Sequence, residues 1–338
     1  MIEPVRIALI GLGRMGMVHA SALADVSEIE VVALADVREP ALASAAVLHP
    51  QAEMHTDPGA ALEADAVEAV LLAPPTPTHP ALTGACLDAG KHVLCEKPLA
   101  LDADESDRLG AAAARLGLVL QVGFWRRFAP PWGAARKAIK EGRIGTPVLL
   151  RLSQWDAEPP PAEFCDPAVS GGIAIDCGVH EFDLAEWLTG QRLVEVRAER
   201  LPVVDKAIQA VGDVDNLLIV GTLEGEAKVI VDLSRNARYG SDVRSEVLGS
   251  AGAIFVETLP DARTTLGDAA GLRTLTASET GAEDVMVAGL RAQAAAFARN
   301  VRGESVDFPD AFSSTRAVRA GMAATKSLHT KNPVLIPG

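Results

Sequence analysis

The sequence predicts an α/β chain: a doubly wound parallel sheet in the N-terminal part, then an α+β domain with a largely antiparallel sheet. Three observations carry this. Over the first 125 residues, short apolar runs alternate with helix-like stretches, the rhythm of βαβ units. Those runs lack a polar alternate face, as strands covered on both sides should. After Phe124 the rhythm changes to strands without long helices between them, which signals a second layer architecture. At about 150 residues per domain, a length of 338 residues also suggests two domains, with the expected division at 1–124 and 125–338.

The elements follow in order. The first apolar run is 5–10, and 14–24 is the helix after it. Runs at 30–35, 66–72, 92–95 and 118–122 are the next strands, and 39–48, 80–89 and 102–116 the intervening helices. In the second part, 147–155 alternates and reads as a strand, a Pro-rich loop covers 158–161, and 171–188 reads as one helix. Strands at 193–201, 214–223, 227–233 and 243–248 come next, and 253–257 adds another. Glu224-Gly225 marks a hairpin turn. Residues 261–279 have little periodicity and are expected to form an exposed excursion. A helix over 282–301 and a shorter one near 313–328 close the chain. No repeat occurs at solenoid periods.

Composition narrows the function classes. Hydrophobic residues make up 49% and charged residues 22%, which excludes wholesale disorder. A chain near this length buries about 75% of its unfolded surface, so no disulfide or metal staple is needed. The net charge is −14 at pH 7. So acidic a surface repels phosphate backbones and anionic lipid, so neither nucleic acid nor a membrane is an expected partner. A local basic pocket for a small anion stays open. Four cysteines, at 86, 95, 165 and 177, form no Cys-x-x-Cys and have no regular spacing. Free thiols in a reducing cytosol are the plain reading, which predicts a cytoplasmic protein without a zinc knot. No window of about 18 uncharged apolar residues exists, so no membrane span is expected. The run 7–13 ends at Arg14 and reads as a first strand and turn, not a signal peptide.

Gly11-Leu12-Gly13-Arg14-Met15-Gly16 matches G-x-G-x-x-G. The pattern alone is weak, but here it follows an apolar strand and opens a helix. Gly11 permits the tight turn, Gly13 lets backbone N–H groups approach a pyrophosphate, and Gly16 lets the helix lie close on the strand. The helix N-terminus then offers free N–H groups and a positive dipole end to the anion. Asp36 ends the second apolar run, twenty residues past Gly16. An acid there hydrogen-bonds the adenosine ribose hydroxyls and repels a 2′-phosphate, which favours NAD over NADP. Arg38 keeps NADP open, because it can stack on adenine or neutralise a 2′-phosphate.

Glu96-Lys97-Pro98 lies at the carboxyl end of the fourth run, where ligands of open parallel sheets bind. By itself the segment reads as a surface Lys–Pro turn; with its companions, Lys97 becomes a donor and positive charge aimed at a bound ring. Gly171-Gly172 leads into Asp176 and His180, four apart and so on one helical face, with Asp183 three further on. One reading is an intrahelical Asp–His pair capped by solvent. The other is a general base, His180, held by a carboxylate; an ordinary histidine pKa of about 6.5 suits proton transfer near neutral pH. His19 on the first helix reads as packing against the sheet. His79 follows Pro74-Pro75-Thr76-Pro77 and either lines a nicotinamide or caps a helix. Trp125-Arg126-Arg127 leaves the fifth strand, and its arginines either hold a cofactor or bridge domains. No metal site is expected: Asp176, His180 and Asp183 could mimic ligands, but no second cluster supports them.

Together these features resemble the glucose-fructose oxidoreductase/inositol dehydrogenase family, Gfo/Idh/MocA, over nearly the whole chain. The carriers are Gly11 to Gly16, Glu96-Lys97-Pro98, and the block from Gly171-Gly172 through Asp176 to His180; the combination is specific, although no single piece is. The resemblance assigns the catalytic set to Lys97, Asp176 and His180. It implies an N-terminal Rossmann domain that binds the dinucleotide and a C-terminal domain that binds substrate. It also implies that an open-faced C-terminal sheet supports dimers or tetramers. Within the family the chain is most similar to inositol dehydrogenases. Gly123-Phe124-Trp125-Arg126-Arg127-Phe128 is similar to their post-strand segment, with Trp125 in place of a smaller residue. Tyr239-Gly240-Ser241-Asp242 is similar to their Tyr-Gly-x-Asp and suggests Tyr239 near the substrate. Asp156 falls where a polar residue often meets a substrate hydroxyl, and Trp155 offers an apolar face to a ring.

The expected substrate contacts are thus Lys97, Trp155, Asp156, Asp176, His180 and Tyr239. The expected dinucleotide contacts begin with Gly11, Leu12, Gly13, Arg14, Met15 and Gly16. They continue with Asp36, Val37 and Arg38, then Ala73, Pro74, Thr76 and His79, and end with Glu96, Lys97, Trp125 and Arg126. The expected activity is NAD-dependent oxidation of a secondary alcohol on a cyclic polyol, myo-inositol or a related inositol. A sugar or dihydrodiol dehydrogenase and a non-catalytic NAD(P)-binding sensor or repressor are the alternatives.

Overall fold

The computed structural model of the chain describes residues 3–63, 66–259, 261–278 and 282–338. It divides into two compact units, Met1–Trp125 with Val287–Thr315 and Arg126–Met286 with Arg316–Gly338. Among the described residues no helix is long and apolar enough to cross a membrane.

The first unit runs β1 (Val5–Ile10), α1 (Arg14–Leu23), β2 (Ile29–Ala35), α2 (Glu39–Ala46), β3 (Glu53–His55), α3 (Pro58–Glu63), β4 (Ala69–Leu72), α4 (His79–Asp88), β5 (His92–Cys95), α5 (Ala103–Leu116) and β6 (Leu120–Val122). The strands are parallel, in the order β3-β2-β1-β4-β5-β6. The order reverses between β1 and β4, which puts a ligand crevice at the carboxyl ends of those strands. All four residues of β4 and five of the six in β1 are buried, as a strand covered on both faces requires. Helix α5 shows how local chemistry bounds an element. Asp102 caps it by accepting the N–H of Asp104 at 2.8 Å, and Gly117, at φ +69°, ends it. Strand β3 and helix α3 were not expected. β3 is a three-residue edge strand exposed at Glu53 and Met54, so it has no apolar run to betray it.

The expected boundary needs one correction. Residues 287–315 belong to the first unit, not to a second domain spanning 125–338. Ala294, Phe297 and Ala298 of the helix Ala282–Val301 share one core cluster with Val5, Ile7, Leu9 and Leu94. A parallel sheet needs helices on both faces, and the returning chain supplies one of them.

The second unit contains α6 (Pro130–Lys140), β7 (Pro147–Trp155), α7 (Ala162–Cys165), α8 (Pro167–Ser170), α9 (Ile173–Asp176), α10 (Gly178–Thr189), β8 (Leu193–Arg200), α11 (Lys206–Ala210), β9 (Asn216–Leu223), β10 (Lys228–Ser234), β11 (Asp242–Gly249), β12 (Ala253–Glu257), β13 (Ala262–Asp268), β14 (Gly271–Ser278) and β15 (Val334–Leu335). They form one nine-stranded sheet in the order β14-β13-β12-β11-β7-β10-β9-β8-β15. β7 and β10 run parallel, and the other neighbours antiparallel. Period-two alternation gives the sheet two faces. Leu150, Leu152 and Gln154 of β7 are buried on the side where α6 and α10 pack. Trp132 of α6 is buried there too, with its indole N–H donating to Ser245 Oγ at 3.0 Å.

Two expectations fail in this unit. Residues 262–278 are the hairpin β13–β14, not an excursion. Its Thr-rich pairs, such as Thr264 opposite Thr276, suit a strand by β-propensity without making an apolar run. Glu279, the last residue of that expectation, lies outside the described residues. The single helix over 171–188 is two helices. Gly171 and Gly172 sit at φ +80° and +73° and cannot be helical, so α9 starts only at Ile173. Between α9 and α10, the N–H of His180 reaches back three residues to Cys177 O at 3.2 Å, a tighter turn than an α-helix.

Candidate active site

The candidate residues fall into two groups, one in each unit. In the first unit, the three glycines of the β1–α1 loop have different causes. Gly11 sits at φ +88°, and a Cβ there would lie 2.4 Å from Pro74 N. A Cβ on Gly16 would lie 1.9 Å from Gly11 O. The protein itself therefore demands both. Around a Cβ on Gly13 there is nothing within 4 Å, so the fold does not require glycine at that position. Close backbone approach of a pyrophosphate does. Gly13 is also the N-cap of α1 and brings no side chain to its free N–H groups. The loop thus fits a dinucleotide.

Asp36, at the end of β2, is buried and fully engaged. Its Oδ2 accepts the Leu12 N–H at 2.7 Å and its Oδ1 the Arg38 N–H at 2.9 Å. The Arg38 side chain folds over both oxygens, Nε on Oδ1 at 3.0 Å and Nη2 on Oδ2 at 3.1 Å. Burial works against the charge, but the donors from Arg38 and Leu12 outweigh it and hold the carboxyl below its ordinary value. Arg38 is largely exposed. Val37, beside it, is exposed. Ala73 and Pro74 close the loop against Gly11, and Thr76 opens a short 3-10 turn beyond them.

Lys97 follows β5, and its peptide bond to Pro98 is cis. The expected contact residue Glu96 points inward instead. Its Oε1 lies 2.7 Å from Nε2 of His19, and its Oε2 accepts the Lys97 N–H at 3.1 Å. Burial opposes its charge, yet the bond to His19 keeps its pKa below the ordinary value. His79 opens α4. It is buried, with Nδ1 2.8 Å from Pro98 O and Nε2 3.0 Å from Pro74 O. Both ring nitrogens face backbone carbonyls of the loops after β4 and β5, and the neutral ring donates its one N–H to one of them. Burial pushes its pKa down.

In the second unit, Asp176 closes α9 and His180 lies buried in the first turn of α10. Cys177 between them lies near two acids: its Sγ is 3.5 Å from Asp156 Oδ2 and 3.7 Å from Asp176 Oδ2. Behind Asp176 stands Arg235, only 1% exposed, with Nη1 3.0 Å from Asp176 Oδ2 and Nη2 3.9 Å from Asp213 Oδ2. Asp213 in turn accepts the N–H of Ile173, the first residue of α9, at 2.9 Å. Burial disfavours the Arg235 charge, but the surrounding acids outweigh it and raise the pKa above its ordinary value. Asp183, on the helix face expected to need a partner, is bound by Arg127, whose Nε donates to Oδ2 at 2.8 Å.

Three expected contacts have partners of their own. Trp155 is one residue from Asp156, and the alternation of β7 turns it to the open face, where its indole N–H donates to Asp232. Tyr239 has a 65% exposed ring and donates its hydroxyl to Asp242 at 2.9 Å. The Arg126 guanidinium is buried against Glu181 and donates to Gln154 Oε1 at 2.8 Å, which argues against a cofactor contact. Trp125, the last residue of the first unit's opening segment, is buried. His19 and Arg235 were missed as site residues. Signals existed for both. His19 lies one turn from Gly16 on the buried face of α1, and Arg235 continues the inward series Val229, Val231, Leu233.

Two family models match this chain. Residues 5–124 match the NAD-binding Rossmann fold of an oxidoreductase family, and residues 132–255 match the GFO/IDH/MocA C-terminal domain. The chain belongs to the Gfo/Idh/MocA family. It is 38% identical to a myo-inositol 2-dehydrogenase of Thermotoga maritima over 269 residues, 80% of each chain. It is also 38% identical to an inositol 2-dehydrogenase of Rhizobium meliloti, over 75% of this chain and 76% of the relative. A myo-inositol dehydrogenase of Corynebacterium glutamicum, solved by crystallography, aligns at a TM-score of 0.83 and 28% identity over 99% of both chains. As a member of the Gfo/Idh/MocA family, the chain is an oxidoreductase of the dehydrogenase type, built on an NAD-binding Rossmann domain.

Proposed function

We propose that the protein oxidises a secondary alcohol of a cyclic polyol, myo-inositol or a related inositol, to the ketone. The observation that carries this reading is the pair Asp156 and Asp176 meeting at Cys177, three residues before the buried His180. The inositol specificity of the relatives points the same way. Bound NAD supplies the hydride acceptor. Asp36 would hold the adenosine ribose, and the β1–α1 loop would hold the pyrophosphate.

His180 accepts the proton of the reacting hydroxyl as its carbon gives up hydride, so alcohol becomes ketone with one proton left on the imidazole. Lys97 acts as a donor and positive charge that stabilises the developing alkoxide. Asp176, held by Arg235, orients His180 or a neighbouring hydroxyl, and Asp156 binds another hydroxyl. Four buried free cysteines support a cytoplasmic setting. Val220 and Leu248, exposed on the open face of the nine-stranded sheet, support a dimer or tetramer.

Dehydrogenase assays with NAD and NADP over inositols, hexoses and a dihydrodiol test this. NADH formation on an inositol is expected. Tight dinucleotide binding without oxidation of any substrate would instead favour a ligand sensor. His180→Ala should lower kcat by about 10²–10⁴-fold, and Lys97→Ala should lose turnover while NAD binding survives. Wild-type rates in either variant remove that residue from the mechanism.

A further inference from the structure

The buried pair His19–Glu96 takes no part in the chemistry above, yet it is built against Lys97. His19 lies on α1, the helix headed by the dinucleotide loop, and Glu96 immediately precedes Lys97. The two side chains are almost wholly buried and meet at 2.7 Å. The second Glu96 oxygen accepts the Lys97 N–H at 3.1 Å. The Glu96 backbone N–H is tied to Leu72 O at 2.8 Å. Gly123 closes the remaining side, because a Cβ there would lie 3.1 Å from Glu96 Oε2. The carboxylate cannot turn without breaking a bond, and the 96–97 peptide plane cannot turn without it. A buried polar pair is weak evidence for stability, since apolar residues of similar volume often serve as well. What this pair does that apolar residues cannot is hold one N–H, that of Lys97.

We infer that His19 and Glu96 are positioning residues for Lys97: His19 holds the Glu96 carboxylate, which fixes the backbone from which the ammonium extends. The inference rests on the proposed role of Lys97. A misplacement of about 1 Å in a catalytic group costs about 10²-fold. His19→Ala should therefore lower kcat by about 10- to 100-fold, with KM for the polyol and Kd for NAD within about threefold of wild type.

A double-mutant cycle of His19→Ala and Lys97→Ala in the full chain tests this, with nucleotide fluorescence titration for NAD and thermal unfolding on each variant. His19→Ala should slow turnover by that factor in the wild-type background and by less than about twofold when Lys97 is already alanine. His19→Gln, which keeps an N–H donor, should recover at least half of the loss on a logarithmic scale. Equal losses in both backgrounds overturn the inference, because His19 would then act on the fold at large. Unchanged turnover in His19→Ala overturns it as well. Wild-type turnover in Lys97→Ala is a separate result, and it brings down the proposed role of Lys97 itself. If His19→Ala does not fold, Glu96→Gln, which keeps the shape and loses the charge, runs the same cycle with the same two outcomes.

Discussion

Three glycines in one six-residue loop separate two kinds of requirement, one from the protein and one from its ligand. Gly16→Ala forces a methyl to within 1.9 Å of a backbone oxygen, and overpacking of that kind costs about 3 kcal/mol or more in a rigid site. Gly13→Ala meets open space. Gly16→Ala should thus depress the melting temperature by about 4 °C or more. Gly13→Ala should leave it within about 2 °C and raise the Kd for NAD tenfold or more, because only the pyrophosphate needs that space. Thermal unfolding and NAD titration on both variants check the contrast, and an equal melting loss in the two would remove it. At this scale the place of Asp36 at the end of β2 was legible from its spacing. The Arg38 side chain folded over both its oxygens was not, since that is a choice of rotamer. Trp155 and Asp156 show how far one residue matters in a strand: adjacent in sequence, they serve opposite faces.

Elements are joined here by pairs far apart in sequence. Arg302, just past the helix Ala282–Val301, donates to Glu68, just before β4, through Nη1 at 2.7 Å and Nη2 at 3.1 Å. The Arg302 guanidinium, with help from Arg6 and against some burial, holds the Glu68 carboxyl down at about 2. The folded value lies below the unfolded one of about 4.3. The stabilisation is therefore present above pH 5 and is lost as pH falls toward 2. The full shift corresponds to about 3 kcal/mol, and partial exposure to solvent reduces this to about 1–2 kcal/mol. Glu68→Gln should lower the unfolding free energy by that amount at pH 7 and by much less at pH 3, read by urea unfolding. An equal deficit at both pH values would show that charge is not its source. The hydrophobic periodicity of the helix Ala282–Val301 was legible, whereas its destination was not, because a boundary drawn along the chain does not see a segment return.

For the molecule as a whole, the open face of the nine-stranded sheet is the feature with consequences. Val220 stands opposite Ile230, and Leu149 opposite Leu248. Val220 and Leu248 are 43% and 48% exposed. Apolar side chains in register on an uncovered sheet mark an interaction surface more often than a solvated one. Light scattering should give the mass of a dimer or tetramer, and Val220→Asp with Leu248→Asp should shift it to the monomer. A monomeric wild type would rule that face out as an interface. The net charge of −14 adds repulsion to overcome, so the association should strengthen with salt.

The sequence by itself determined the parallel sheet, its glycine loop and the hairpin at 224–225. These depend on patterns within a few residues, where apolar periodicity and backbone freedom act directly. The Lys97 and Asp176–His180 segments were legible on the same ground, helped by the family resemblance. Only the tertiary structure decided that Glu96 faces His19 across 77 positions, that Arg235 stands behind Asp176, and that β13 and β14 pair. It also decided that the helix Ala282–Val301 contributes to the first unit's core. Each of these is set by which groups burial forces to share a hydrogen bond or a core, and burial is a property of the folded molecule.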